Sequence, residues 1–183
     1  MAILVILNLK VNFMSLSNDI KQKDFRNEYQ KAILNIWYTH NFIITNMNEL
    51  FKDYDITRQQ YNVLRILRGQ YPAHASINVI KDRMLDKMSD TSRIVERLRL
   101  KGLISRTDCK NDKRSVEIRI TPTGLELLER MQEPVDKLEN LLSTLSLEET
   151  QQLNRLLDKL RGSEIQEMVE NQTLELVSQP EKF

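Results

Sequence analysis

The sequence predicts a mainly α-helical fold carrying one small β-hairpin, and three observations predict it. Glycine and proline number only four each in 183 residues, too few turn formers for a many-stranded sheet. Apolar residues recur at spacings of three and four over most of the chain, the period of helices that bury one face. Two β-rich runs, Leu103–Thr107 and Val116–Ile120, flank a charged stretch, Asp108–Ser115, with an Asn-Asp turn pair inside it. That pattern reads as a hairpin with a long tip.

The elements follow in order. Ala2–Leu9 is apolar but has neither a positive segment before it nor a small-residue cleavage site after it, so a short strand or an extension is expected and not a signal peptide. Met14 is an alternative start. A long helix is predicted from Phe25, Tyr29, Ile33, Ile36, Trp37, Ile43, Ile44, Met47, Leu50 and Phe51, which share one face. Thr57-Arg-Gln-Gln60 has the form of a capping box. It opens a helix with Tyr61, Leu64 and Leu67 inward, stopped by Gly69 with Pro72 beyond. Ser76 is placed to cap a short helix through Met84, with Ile77 and Ile80 inward. Ser89 is expected to cap a third, running through Lys101 on a core face of Thr91, Ile94, Val95 and Leu98, with Gly102 as its terminator.

Beyond the hairpin, Thr121-Pro122 suits a helix start, with Thr as cap and Pro in the first turn. Its apolar stripe runs Leu125, Leu128, Met131, Val135, Leu138, Leu142 and Leu145, and Pro134 should kink it. Ser146-Leu-Glu-Glu149 is a second capping box. It leads a helix with Leu153, Leu156, Leu157 and Leu160, ended by Gly162. The expected organisation is an N-terminal extension (1–20), a dimerisation helix (21–56), a central lobe (57–121), C-terminal dimerisation helices (122–162) and a tail (163–183). Three short helices followed by a hairpin make the central lobe a winged helix-turn-helix.

Net charge is only +1, but it is unevenly placed. Thr57–Thr121 holds 15 Lys+Arg against 7 Asp+Glu, and the rest holds 12 against 19. A localised basic segment is the footprint expected of nucleic-acid contact. On the third short helix, Ser89, Ser92, Arg93 and Arg97 lie away from Ile94, Val95 and Leu98 at about 100° per residue. The major groove of B-DNA admits such a helix, and its N-terminal residues reach the base edges. Arg93 is placed to donate a bidentate pair to guanine. Lys110, Lys113 and Arg114 stand at the hairpin tip.

From Asp90 to Arg106 the chain resembles the recognition helix and first wing strand of MarR-type regulators. Asn111-Asp-Lys-Arg-Ser115 is similar to that family's Asp-x-Arg wing motif at Asp112 and Arg114, and Ile120-Thr-Pro-Thr-Gly124 to its strand-to-helix junction. The resemblance covers about Thr57–Leu128. It implies a DNA-binding transcriptional regulator, with repression the expected mode. It also implies a homodimer with intertwined terminal helices, an Arg114 entering the minor groove, and an Asp112 bracing the wing by pairing with Arg106 or Arg114. Lys110 and Lys113 would supply phosphate contacts. Two heads would read double-stranded DNA as a pseudo-palindromic operator with half-sites roughly 10 bp apart. Surplus apolar surface on the terminal helices argues for the same pairing.

The resemblance further implies a pocket for a small aromatic or anionic effector. Trp37, Tyr38, His40, Asn41, Tyr61, Arg65 and Arg68 are the candidates, although Trp37 and Tyr61 fit the apolar stripes better as core. The single cysteine, Cys109, allows no disulfide within one chain and suits a reducing cytoplasm. Beside Lys110 it offers a redox-responsive alternative. No cofactor is expected. Two separated histidines give no metal-ligand spacing, no run spans a bilayer, and no phosphate-binding loop or nucleophile elbow marks an enzyme. A winged helix that docks on a protein is the remaining alternative, disfavoured by the basic tip.

Overall fold

A computed structural model describes residues 15–108 and 116–162. Its elements in chain order are α1 (Leu16–Asp19), α2 (Glu28–Lys52), α3 (Arg58–Arg68), α4 (Ile77–Arg83), α5 (Thr91–Leu100), β1 (Ile104–Asp108), β2 (Val116–Ile120), α6 (Pro122–Asp136), a 3-10 helix (Lys137–Leu142) and α7 (Leu147–Leu160). The mainly α fold with one hairpin is the fold predicted. Ala2–Leu9 and the tail lie outside the described residues. The chain divides into two compact units after Val135.

In the first unit, local chemistry sets the helix starts. Asn27 accepts from the Gln30 amide at 2.9 Å, so α2 begins after Phe25, later than periodicity alone predicts. Thr57 and Gln60 close both arms of their capping box, and Ser76 accepts from the Val79 amide. The recognition-type helix α5 departs from expectation. Its cap is Asp90, which accepts from the Arg93 amide at 3.1 Å, and not Ser89. Both residue types cap well, and the Ser89 hydroxyl is already committed to Asp86 at 2.9 Å.

The hairpin is antiparallel, with Ile104 opposite Ile120 and Asp108 opposite Val116. Ala75 adds a two-bond bridge to Ile118 at 2.9 and 3.0 Å, tying the start of α4 to the wing. Phe51, Val63, Leu64, Leu67, Ile80, Val95, Leu98, Ile118, Leu128 and Met131 form one core. Burial on this scale, at roughly 25 cal/mol per Å² of apolar surface, is what holds the short helices together. Thr121 joins three elements: its hydroxyl donates to the Gly102 carbonyl at 2.8 Å and accepts from the Gly124 amide at 3.1 Å.

Pro134 lies inside α6, two residues before its end. The α-helix runs through it to Asp136, then tightens into the 3-10 helix. Proline has no N–H for the carbonyl four residues back. That carbonyl, of Arg130, accepts from the Tyr54 hydroxyl at 3.4 Å instead. The stripe predicted through Leu145 is therefore split between two helix types.

In the second unit, Ser146 and Glu149 form the predicted capping box on α7. Leu147, Leu153, Leu156 and Leu160 are exposed in the single chain.

Candidate nucleic-acid interface

The recognition-type helix α5 is divided cleanly. Thr91, Val95 and Leu98 are buried, Ile94 is half-buried, and Ser92, Arg93, Arg97 and Arg99 face outward. Arg93 lies near the N-terminal end of the helix. Its guanidinium stands 3.9 Å from Asp90, and its side chain is 73% exposed. Arg99 is engaged bidentately by Glu96 at 2.8 and 2.9 Å. That hydrogen bonding raises the Arg99 pKa and lowers that of Glu96, so Arg99 is less available than Arg93 to a third party.

Arg97, predicted beside Arg93, sits further along the helix on a cleft of about 560 Å³. Lys101, Asp55 and Thr57 share that cleft. Lys101 reaches the Asp55 carboxylate at 2.9 Å and also donates to the Asp55 carbonyl, pinning the end of α5 to the α2–α3 elbow. Gly102 then turns the chain at φ 69°, and the Leu103 amide closes back on the Leu98 carbonyl at 3.1 Å.

Ser89 is half-buried and belongs to the turn before α5. Asp86 accepts there from the Ser89 hydroxyl at 2.9 Å and the Met88 amide at 3.1 Å. The Ser89 and Met88 bonds, the Gln59 side chain and the Arg58 charge hold the Asp86 carboxyl below its ordinary range. Asn62 of α3 accepts from the Leu85 amide at 2.9 Å. Asp86 and Asn62 were not singled out from sequence. An aspartate three residues before a serine is the only signal there, and it says nothing of α3.

On the wing, Arg106 is exposed on β1 opposite Ile118. Lys110, Asp112, Lys113, Arg114 and Cys109 lie outside the described residues. Arg119 on β2 meets Glu117 at 2.9 Å and His74 at 3.3 Å. Sequence reasoning did not single out that cluster.

The predicted effector residues do not converge. Tyr61 is core, its ring 5.0 Å from that of Phe51, as its stripe suggested. Trp37 is not core: it is 64% exposed in the single chain, on a face of α2 that the described residues leave uncovered. Arg65, Asn41 and Arg68 are exposed. Tyr38 lines a small cavity of about 200 Å³ with Leu16 and Phe42. His40 alone of this set reaches a cavity of about 620 Å³ whose walls include Ile44, Met47, Arg58, Asn62 and Asp86. Among the described residues no group of three or more His, Cys, Asp or Glu is placed to hold a metal. No described helix is long and apolar enough to cross a membrane.

The model of the MarR family matches residues 56–116, the span from α3 to the start of β2. The transcriptional repressor IacR of Pseudomonas putida is 32% identical over 120 residues, covering 65% of this chain and 71% of that protein. A solved MarR transcription factor from Planctomyces limnophilus is 34% identical, with a TM-score of 0.59, over 74% of this chain and 98% of that one. A MarR variant from E. coli, solved with operator DNA, is 27% identical with a TM-score of 0.65, over 75% and 99%. With the helix order, the split face of α5 and these matches together, the chain belongs to the MarR family of winged helix-turn-helix transcriptional regulators.

Proposed function

We propose that this MarR-family regulator is a homodimeric repressor, acting in the cytoplasm on a pseudo-palindromic operator in double-stranded DNA. The observation that carries the reading is α5. One face is locked into the core by Val95 and Leu98, and the other presents Ser92 and a largely exposed Arg93 at the N-terminal end. That end is where a recognition helix reads bases in the major groove. Arg93 would read a base edge, Ser89 and Ser92 bases or phosphates, and Arg97 the backbone. Arg114 would anchor the wing, with Lys110 and Lys113 on phosphates and Asp112 and Arg106 bracing it. The E. coli relative solved with operator DNA supports the partner, and the P. putida repressor supports the mode.

Pairing is supported by the exposed apolar face of α2, with Tyr29, Ile33 and Trp37, and by the exposed leucines of α7. The 620 Å³ cavity suits a small aromatic or anionic effector, with His40 and Arg58 on its wall. An effector favouring a form in which the two heads no longer match the half-sites would release the DNA.

Selection on random double-stranded DNA tests the reading, followed by fluorescence anisotropy at two salt concentrations. A pseudo-palindrome with half-sites about 10 bp apart is expected. No enriched sequence, or full binding by both Arg93→Ala and Arg114→Ala, would refute it.

A further inference from the structure

The turn between α4 and α5 does two jobs at once. It forms one wall of the 620 Å³ cavity through Met84, Leu85, Asp86 and Lys87. It also delivers the chain into α5. Its geometry is fixed by side chains and not by regular structure. The Asp86 carboxylate accepts from the Ser89 hydroxyl with one oxygen and from the Met88 amide with the other. From α3, Asn62 accepts from the Leu85 amide, and Gln59 and Arg58 bear on Asp86. Asp90, the next residue after Ser89, caps α5. Three consecutive residues, Met88 to Asp90, thus run from the Asp86 carboxylate to the first turn of the helix carrying Arg93.

The structure assigns Asp86 as the positioning residue of α5: its carboxylate sets the entry of that helix, and as part of the cavity wall it links the cavity to the reading head. Anything in the cavity that draws the carboxylate toward itself draws it from Ser89 and Met88. The assignment rests on the DNA-binding reading above. Asp86 is itself an anion, so its direct effect on a polyanion is repulsive. Its removal therefore has a signature that a general loss of structure lacks. Binding to random DNA should stay level or tighten, while binding to the operator weakens because α5 no longer enters at the angle that registers Arg93 with its base.

The test uses the full chain as its native assembly. Anisotropy is measured on the selected operator and on a random duplex, with thermal melts alongside. Variants are Asp86→Ala, Asp86→Asn, Ser89→Ala and the Asp86→Ala/Ser89→Ala double. For Asp86→Ala the ratio of operator to random affinity should fall about five- to thirty-fold, the scale of losing one to two hydrogen bonds. Asp86→Asn, which keeps a neutral acceptor for the Met88 amide, should fall less. In the Ser89→Ala background the further fall should be smaller than in wild type, since one of the two bonds is already absent. A ratio unchanged in Asp86→Ala, or operator and random affinities falling together, overturns the positioning role. So does strict additivity of the two alanine changes. A wild-type chain that prefers no DNA sequence overturns the DNA-binding reading itself, and a wild-type preference that Asp86→Ala leaves undiminished overturns this assignment alone.

Discussion

Gly124→Ala should destabilise the protein for a steric reason alone. Gly124 lies in the first turn of α6 at a negative φ, since the positive-φ glycines are Gly102 and Gly162. Alanine is therefore conformationally welcome there, and helix propensity favours it by about 1 kcal/mol. The new Cβ, however, would stand 2.3 Å from the Leu103 carbonyl oxygen and 2.8 Å from Ile120 Cγ1. Leu103 is backbone, and its carbonyl already accepts from the Thr121 amide at 3.1 Å, so it cannot retreat without stretching that bond. Overpacking of this kind costs about 1–3 kcal/mol, and weakening the Thr121 bond adds about 1 kcal/mol. After the propensity gain, a net loss of about 1–3 kcal/mol remains. At about 2–4 °C per kcal/mol for a chain of this size, Tm should drop by several degrees in calorimetry at fixed protein concentration. Gly69→Ala is the control. Its Cβ would meet only the Ile66 and Arg65 carbonyls at 3.5 and 3.6 Å, ordinary contacts, so it should be neutral or stabilising. A Gly124→Ala protein melting at or above wild type would refute the reasoning.

Thr91→Val should stabilise the lobe by about 1 kcal/mol, read as a higher urea midpoint at unchanged slope, because the buried Thr91 hydroxyl has no hydrogen-bond partner among the described residues. A lower midpoint would show that the hydroxyl is satisfied. Arg93→Ala should cost about 1–3 kcal/mol of operator affinity and relax preference at one base position, whereas Lys113→Ala should weaken all sequences alike and flatten the salt slope. Trp37 is the only tryptophan, so its emission should shift to the red as a dimer is diluted. Burying its exposed 64% is worth about 3 kcal/mol per subunit, and Trp37→Ala should raise the dimer dissociation constant more than ten-fold by light scattering.

What the sequence made legible is what depends on near neighbours. The Thr57–Gln60 and Ser146–Glu149 boxes span three residues and form as read. The two strand runs and the Gly102 terminator depend on alternation and on one positive φ, and the hairpin and the turn both form there. Two positions were not decided by a single local rule. Ser89 and Asp90 are both good caps; Asp90 caps α5, while the Ser89 hydroxyl donates to Asp86 three residues back. Pro134 breaks one helical bond, but Tyr54, from beyond the end of α2, supplies the missing donor, so the α-helix passes the proline before changing type. Trp37 failed for another reason. Periodicity shows that a face is apolar, not whether its own chain covers it. The cavity was the least legible part, because its lining comes from α2, α3 and the α4–α5 turn, and only folding brings His40 and Asp86 to one space.

These features join in α2. Its C-terminal end is part of the reading lobe: Phe51 is 1% exposed and lies against Tyr61, and the elbow just beyond is pinned to α5 by Lys101. Its outer half, around Trp37, offers an apolar face that its own lobe leaves uncovered. Fourteen residues separate Trp37 from Phe51, about 21 Å of helix at 1.5 Å per residue. A helix anchored in the core at one end and pairing with a second copy at the other acts as a stiff arm, so the way two copies pack would set the separation of their two α5 helices. His40, Ile44 and Met47 lie between those ends, and they form the α2 side of the cavity whose opposite wall is the Asp86 turn. An effector filling that cavity, on the proposed reading, would bear on the arm and on the entry to α5 together. It shifts the equilibrium only by the difference in its affinity for the two arrangements. On the proposed reading, a small displacement of either wall would take Arg93 out of register with its base.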